Sequence, residues 1–394
     1  MEIKKVVQLF SLTYLINVIG GSFVNNVYIL FLSTTKQFSD QQISLIMGII
    51  PLVAIPAVFI WGKILDKSKA LTRWGTFNIV INGVSLLLLY FTNNFILFFV
   101  IALIRTLLTQ PLGSICEEYM INITKKANIP YGKVRRIGTL GGAIAGMIAP
   151  IILLFANQSL VMLTGIIITL MSALLFYQLP IVRLEDEEII NEKIGEKVGV
   201  IHLFKNKQYL VIFFIIAFTY GSMNSAAGYG SQTLLIKMNC PETLIVAFPF
   251  ILAIFEILIL GISHKFRVEQ KPYRAFFIGA IVLCIRWIIL SLSSHYIMVI
   301  ISTLLQGFIV GLTLPAQNYI IAQVVPEKER STAYLLSVVM QVSIVPGILN
   351  LFIGNTLNAL GLSVFGVSYL AITCIALLLI VPMLIKETKK LKRV

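Results

Sequence analysis

Long apolar runs alternate with short polar breaks along the whole chain. Twelve runs are long enough to cross about 30 Å of hydrocarbon, which takes roughly 20 helical residues. They lie near 6–32, 41–62, 74–92, 95–124, 131–155, 160–180, 206–236, 243–263, 275–293, 296–324, 332–358 and 362–385. A backbone in lipid has no water to bond, so each run is predicted as a helix that closes its own hydrogen bonds. The runs are too long for the strands of a membrane barrel. One break differs from the rest. Residues 181–208 carry Glu185, Asp186, Glu187, Glu188, Glu192 and Glu196 among basic residues, and they separate six runs from six. The pattern predicts an all-α membrane protein of twelve transmembrane helices in two six-helix bundles. The first bundle covers 1–180, a cytoplasmic linker covers 181–208, and the second bundle covers 209–394.

Composition removes the soluble alternative. Hydrophobic residues make up 58% of the 394 and charged residues 12%, against soluble norms of roughly 45–50% and about 25%. The net charge of +14 would suggest a nucleic-acid partner if the basic residues formed one patch. They sit instead in the breaks. With both termini cytoplasmic, all Lys and Arg fall on the inside except Lys36 and Lys237 outside and Arg105 and Arg286 within runs. That asymmetry orients the chain with both ends in the cytoplasm, and no nucleic-acid partner is expected. Cys116, Cys240, Cys284 and Cys374 have no CxxC spacing and read as small apolar residues. The first run is too long for a signal-peptide core, so no cleaved leader is expected.

Charges inside the runs are the candidate chemistry, since an ionised side chain at the bilayer centre costs at least ~2.5–3.5 kcal/mol and needs a partner or a wet cavity. Glu117 and Arg135 lie on adjacent antiparallel helices where a bidentate pair fits. They could form a surface ion pair that sets the hairpin, or grip a solute. Glu256 and Arg286 are the second pair. Burial raises a carboxyl pKa and a nearby Arg lowers it, so Glu256 is the candidate proton carrier. The pair could equally be a permanent bridge. Arg105 lies deep in the fourth run, within reach of Asn25 and Asn26. Asn25, Asn224 and Gln306 lead a set of neutral polar groups, with Tyr28, Tyr220, Tyr229, Gln232, Gln317 and Asn318. Each alone reads as glue between helices. Together they suggest a cavity suited to an uncharged or zwitterionic solute. Gly138, Gly141, Gly142 and Gly146 let helices approach, and Pro51, Pro56, Pro111, Pro249, Pro315 and Pro346 permit bends. No HExxH, nucleophile elbow or P-loop occurs, and His202, His264 and His295 have no metal-ligand spacing, so no enzyme and no metal site are expected.

Several segments carry a family resemblance. Gly62-Lys63-Ile64-Leu65-Asp66-Lys67, ending at Arg73, resembles the loop signature after helix 2 of the major facilitator superfamily, without its second glycine. Pro326 to Ala333 is similar to the family's helix 10–11 connection. Glu117-Glu118-Tyr119 and Tyr131-Gly132-Lys133-Val134-Arg135-Arg136 resemble the hairpin of the branch that holds lactose permease and the nucleoside and phenylpropionate proton symporters. The resemblance implies a gating role for Gly62, Asp66, Lys67 and Arg73 and solute binding by Glu117 and Arg135, and it places Glu256 and Arg286 where the sugar permeases carry a functional Glu and an Arg, without carrying over their proton site. This chain departs from the branch at Gln306, Ile309, Asn224, Ala227 and Gly142, where relatives carry His, Glu, Asp, Asp and Trp. The expected function is secondary active transport by alternating access, with a monomer importing a sugar, nucleoside or similar small polar solute. The proton is the coupling ion, no other cofactor is expected, and the setting is a bacterial cytoplasmic membrane. The alternative is a proton-driven multidrug efflux antiporter, supported by Arg105 and the many Phe and Met residues.

Overall fold

The computed structural model describes residues 2–66, 71–180, 200–262 and 268–391. All regular structure among them is helical. Eleven helical segments of the described residues are long and apolar enough to cross a membrane. A further 21-residue helix, Glu242–Ile262, occupies the place of the eighth predicted run. Lys67 and most of the linker, 181–199, lie outside the described residues. The linker's last residues are helical.

The chain forms two compact units. The first comprises residues 1–46, 52–191 and 241–250, and the second 47–51, 192–240 and 251–394. Helices α1 (Ile3–Leu30), α2 (Asp40–Asp66), α3 (Leu71–Phe91), α4 (Phe95–Thr109), α5 (Leu112–Ala127), α6 (Tyr131–Phe155) and α7 (Gln158–Tyr177) supply most of the first. Next come α8 (Val200–Lys205), α9 (Lys207–Ser225), α10 (Ser231–Lys237) and α11 (Glu242–Ile262). The chain ends with α12 (Pro272–Leu292), α13 (Tyr296–Val324), α14 (Glu327–Val339), α15 (Val345–Leu360) and α16 (Ser363–Leu391).

Helix starts follow local chemistry. Asn94, Asn157 and Asn206 each accept a backbone N–H with the side-chain oxygen at the start of α4, α7 and α9, at 3.0 Å from Leu97, Leu160 and Gln208. This satisfies one of the donors that a helix N-terminus leaves open. The run predicted at 95–124 is divided at Gln110 and Pro111. Proline has no N–H and its ring crowds the preceding turn, so α4 ends and α5 starts from Pro111. Two spans predicted as continuous contain a π-helical turn, at Ala226–Gly230 and Met340–Ile344, and a third, Phe31–Thr35, carries α1 past the predicted end of its run at 32. No periodicity of apolar residues signals such a one-residue expansion.

In the first unit α1 packs mainly on α7 and α6, and α3 packs on α7. A Cβ on Gly20 would stand 2.7 Å from the Thr169 backbone nitrogen and 2.9 Å from the Gly165 carbonyl oxygen, so α1 and α7 meet backbone to backbone there. Below this crossing, Phe10, Tyr119, Met120, Ile123, Val134 and Phe176 form a buried apolar cluster. At the end of α1, Lys36 donates to the Tyr90 carbonyl at 2.6 Å and to Asn93 Oδ1 at 2.8 Å. Burial lowers the pKa of this ammonium, and its charge faces the C-terminal end of α3, where the helix dipole favours a cation. In the second unit α12 packs on α13 and α16, and α16 packs on α9.

Candidate functional site

The α5–α6 hairpin turns in three residues. Asn128 takes a left-handed conformation (φ 52°) after α5, and its N–H bonds back to the Lys125 carbonyl at 3.1 Å. Ile129 bonds the Thr124 carbonyl at 3.0 Å, and Pro130 then leads into α6. Asn tolerates this conformation better than other residues with a Cβ. The short turn holds Glu117 and Arg135 on neighbouring helices. Arg135 Nε lies 3.0 Å from Glu117 Oε1. Tyr131 donates its hydroxyl to Glu117 Oε2, and Arg135 Nη1 donates to the Tyr14 hydroxyl at 3.0 Å. Tyr14 is itself positioned. Its ring stacks on Phe10 with centroids 5.8 Å apart, and it fills the space that Gly138 leaves, where a Cβ would come within 2.8 Å of it.

Four polar side chains from three helices therefore converge. The Arg135 and Glu117 side chains remain 48% and 38% exposed. An ion pair that open adds about 0–1 kcal/mol to stability, so the cluster is poorly explained as a structural clamp. It presents carboxylate, guanidinium and phenol groups that a solute hydroxyl or carboxylate can compete for.

The second pair has a different construction. Glu256 on α11 and Arg286 on α12 are joined through Gln306 on α13. Arg286 Nη1 donates to Gln306 Oε1, and Gln306 Nε2 donates to Glu256 Oε1 at 2.9 Å. Gly307 explains how α13 comes so near. A Cβ there would stand 2.6 Å from the Phe255 carbonyl carbon and 3.0 Å from the Glu256 nitrogen. Arg286 is fully buried. Its guanidinium lies 4.8 Å from the centroid of the Trp287 ring, a cation–π contact. Trp287 Nε1 donates to Thr373 Oγ1 at 2.9 Å, and its ring packs at 4.9 Å on Tyr369. Tyr369 in turn accepts from Ser225 at 3.1 Å. The Nε and Nη2 atoms of Arg286 are buried and have no hydrogen-bond partner among the described residues. Each such donor costs roughly 1–3 kcal/mol, more when charged.

The other predicted residues stand apart from these clusters. Arg105 Nε donates to Asn82 Oδ1 on α3 at 2.8 Å, a partner the sequence did not single out. Asn25 is exposed, beside the buried Asn26. Asn224 is exposed too, and its Nδ2 donates at 2.9 Å to the Gln341 carbonyl in the π turn ahead of α15. Gly62 is half-buried in α2 and Arg73 is exposed on α3, while Asp66 ends α2 and Lys67 lies outside the described residues. Asn318 and Tyr319 line a cleft between α13 and α14 with Leu314, Pro315, Ala322 and Tyr334. Tyr14, Tyr131 and Asn82 were missed as partners. A Tyr or Asn inside an apolar run was the available signal, and it does not say which charge each one meets.

The chain is a helical membrane protein with charged side chains engaged within its spans. Its sequence matches the model of the Major Facilitator Superfamily over residues 10–341, and the chain belongs to that family. It is 24% identical over 331 residues to the uncharacterized transporter YwbF of Bacillus subtilis (strain 168), across 81% of this chain and 79% of that one. Its structure is similar to that of the nucleoside transporter NupG, with a TM-score of 0.78, 14% identity, and 99% and 100% of the two chains covered. It is also similar to the D-xylose-proton symporter, with a TM-score of 0.66, 12% identity, and 96% and 97% covered. At these identities the solved structures speak for the fold. The protein is a multi-pass membrane transporter and not an enzyme.

Proposed function

We propose that the protein is a secondary active transporter that imports a small polar solute, a sugar, nucleoside or similar molecule, by alternating access. In this reading twelve helices span a bacterial cytoplasmic membrane, both termini are cytoplasmic, and the unit of transport is a monomer. The half-bundles are 1–180 and 209–394. The proton is the coupling ion, and Gly62, Asp66, Lys67 and Arg73 belong to the gate. The observation that carries the reading is the accessible cluster of Glu117, Arg135, Tyr131 and Tyr14. Its groups satisfy one another when empty, so a solute can replace those bonds one for one. Two proteins of similar structure, a nucleoside transporter and a D-xylose-proton symporter, agree with a polar cargo. The second reading, proton-driven efflux, rests on Arg105, which donates to Asn82, and on the many Phe and Met residues.

Proteoliposome counterflow with sugars and nucleosides tests the reading. Glu117→Gln and Arg135→Lys should each lower exchange at least about tenfold, since the first removes a charged acceptor worth roughly 1.5–3 kcal/mol and the second keeps the charge but loses the forked donors. The melting temperature should stay close to that of the unmutated protein. Exchange at the unmutated rate in both variants would overturn the site. For coupling, Glu256→Gln should keep counterflow and lose accumulation driven by a pH gradient. Retained accumulation would remove Glu256 as the proton carrier.

A further inference from the structure

The two open donors of Arg286 are not scattered. Nε and Nη2 lie on one edge of the planar guanidinium, the edge that grips a carboxylate or phosphate through two parallel bonds. The rest of the group is engaged. Nη1 is held by Gln306 and one face is covered by Trp287. Gln306 presents an oxygen to Arg286 and a nitrogen to Glu256. It cannot turn over, because a guanidinium has no acceptor to offer its amide N–H. The bridge therefore holds the guanidinium with its paired edge directed elsewhere. Among the described residues no carboxylate lies within ion-pair distance of Arg286, and the orphaned atoms are buried.

We propose that this edge of Arg286 is a binding site for a small oxyanion, a carboxylate or phosphate group. An oxyanion satisfies both open donors at once and neutralises the buried cation, which the bridging amide, being uncharged, cannot do. Gln306 acts as the positioning residue, because its grip on Nη1 decides which edge stays open. The site is closed to solvent in the structure, so the anion enters when the bundle rearranges. The inference rests on the transport reading only for that access. Its test reads binding and not transport, so the two can fail separately.

Trp287 supplies the reporter. The chain has three tryptophans, and a Trp61→Phe, Trp74→Phe background leaves Trp287 alone. Purified protein is titrated with acetate, inorganic phosphate and benzoate at constant ionic strength, with benzamide as the neutral match for benzoate. At least one oxyanion should change the Trp287 emission saturably, and benzamide should not. Arg286→Lys keeps the charge but loses the two-pronged edge, and should weaken the response about tenfold or more. Glu256→Gln removes a competing negative charge and should tighten it roughly threefold. In the unmutated protein the same anions should raise the melting temperature, which guards against damage from the tryptophan replacements. No saturable response and no thermal shift with any oxyanion, an equal response to benzamide, or an unchanged response in Arg286→Lys would each overturn the site.

Discussion

Arg105, Arg135 and Arg286 show how one residue type takes three roles according to what its N–H groups meet. Arg135 is half exposed, paired with Glu117 and bonded to Tyr14. Arg105 has an amide partner on the next helix. Arg286 is wholly buried and only partly satisfied. Arg105 and Arg286 were legible in the sequence as charges within apolar runs, because burying a charge is costly enough to need a reason, and Arg135 was legible by its place in the hairpin motif. The Glu117–Arg135 pairing was legible too, and the structure shows it at 3.0 Å, but Tyr14, Asn82 and the bridging Gln306 were not. Gln306 was read as a solute ligand, and it stands between Glu256 and Arg286. A prediction belongs here. Tyr131→Phe removes one hydrogen bond to Glu117, so solute affinity in counterflow should fall roughly fivefold, the equivalent of about 1 kcal/mol. An unchanged affinity would make Tyr131 a bystander.

At the scale of elements, backbone chemistry decides where charges can meet. Pro111 ends α4 and resets the chain as α5, and Asn128 turns α5 into α6 within three residues. Pro111 was read as a bend, and Asn128 was not singled out. The close approach of α13 to α11 was not visible, since Gly307 looked like any small residue in a membrane helix. It lets Gln306 reach Glu256. Gly307→Val would force β-branched bulk against the Phe255 backbone, which cannot yield as a side chain can. Overpacking of this kind costs about 1–3 kcal/mol, so the purified variant should melt several degrees lower. It should also lose accumulation while keeping some counterflow, as Glu256→Gln does. A variant with unmutated melting and coupling would show that the helices tolerate separation.

For the whole molecule, the basic residues carry the topological information. Nearly all of them gather in alternate breaks, which sets the expected orientation. A fluorescent protein fused after Val394 should therefore be fluorescent, because it folds in the cytoplasm, and an alkaline phosphatase fused there should be inactive. The reverse pair of results would invert the chain. Eleven of the described helical segments meet the length and apolarity needed to cross a membrane, and α11 lies where the eighth run was read.

By itself the sequence determined the helical class, the places of the spans and the rarity of charge within them. These follow from solvent: lipid demands closed backbone hydrogen bonds and penalises each buried charge, and both demands are met residue by residue. Beyond Glu117 with Arg135, tertiary structure alone decided the partnerships. Which carboxylate meets which guanidinium, with an amide between or a phenol beside, depends on helix crossings set by a few glycines and on turns of one extra residue. Such contacts join positions far apart in the chain, such as Tyr14 with Arg135 and Asn82 with Arg105, and a one-dimensional pattern of polarity holds no record of that distance.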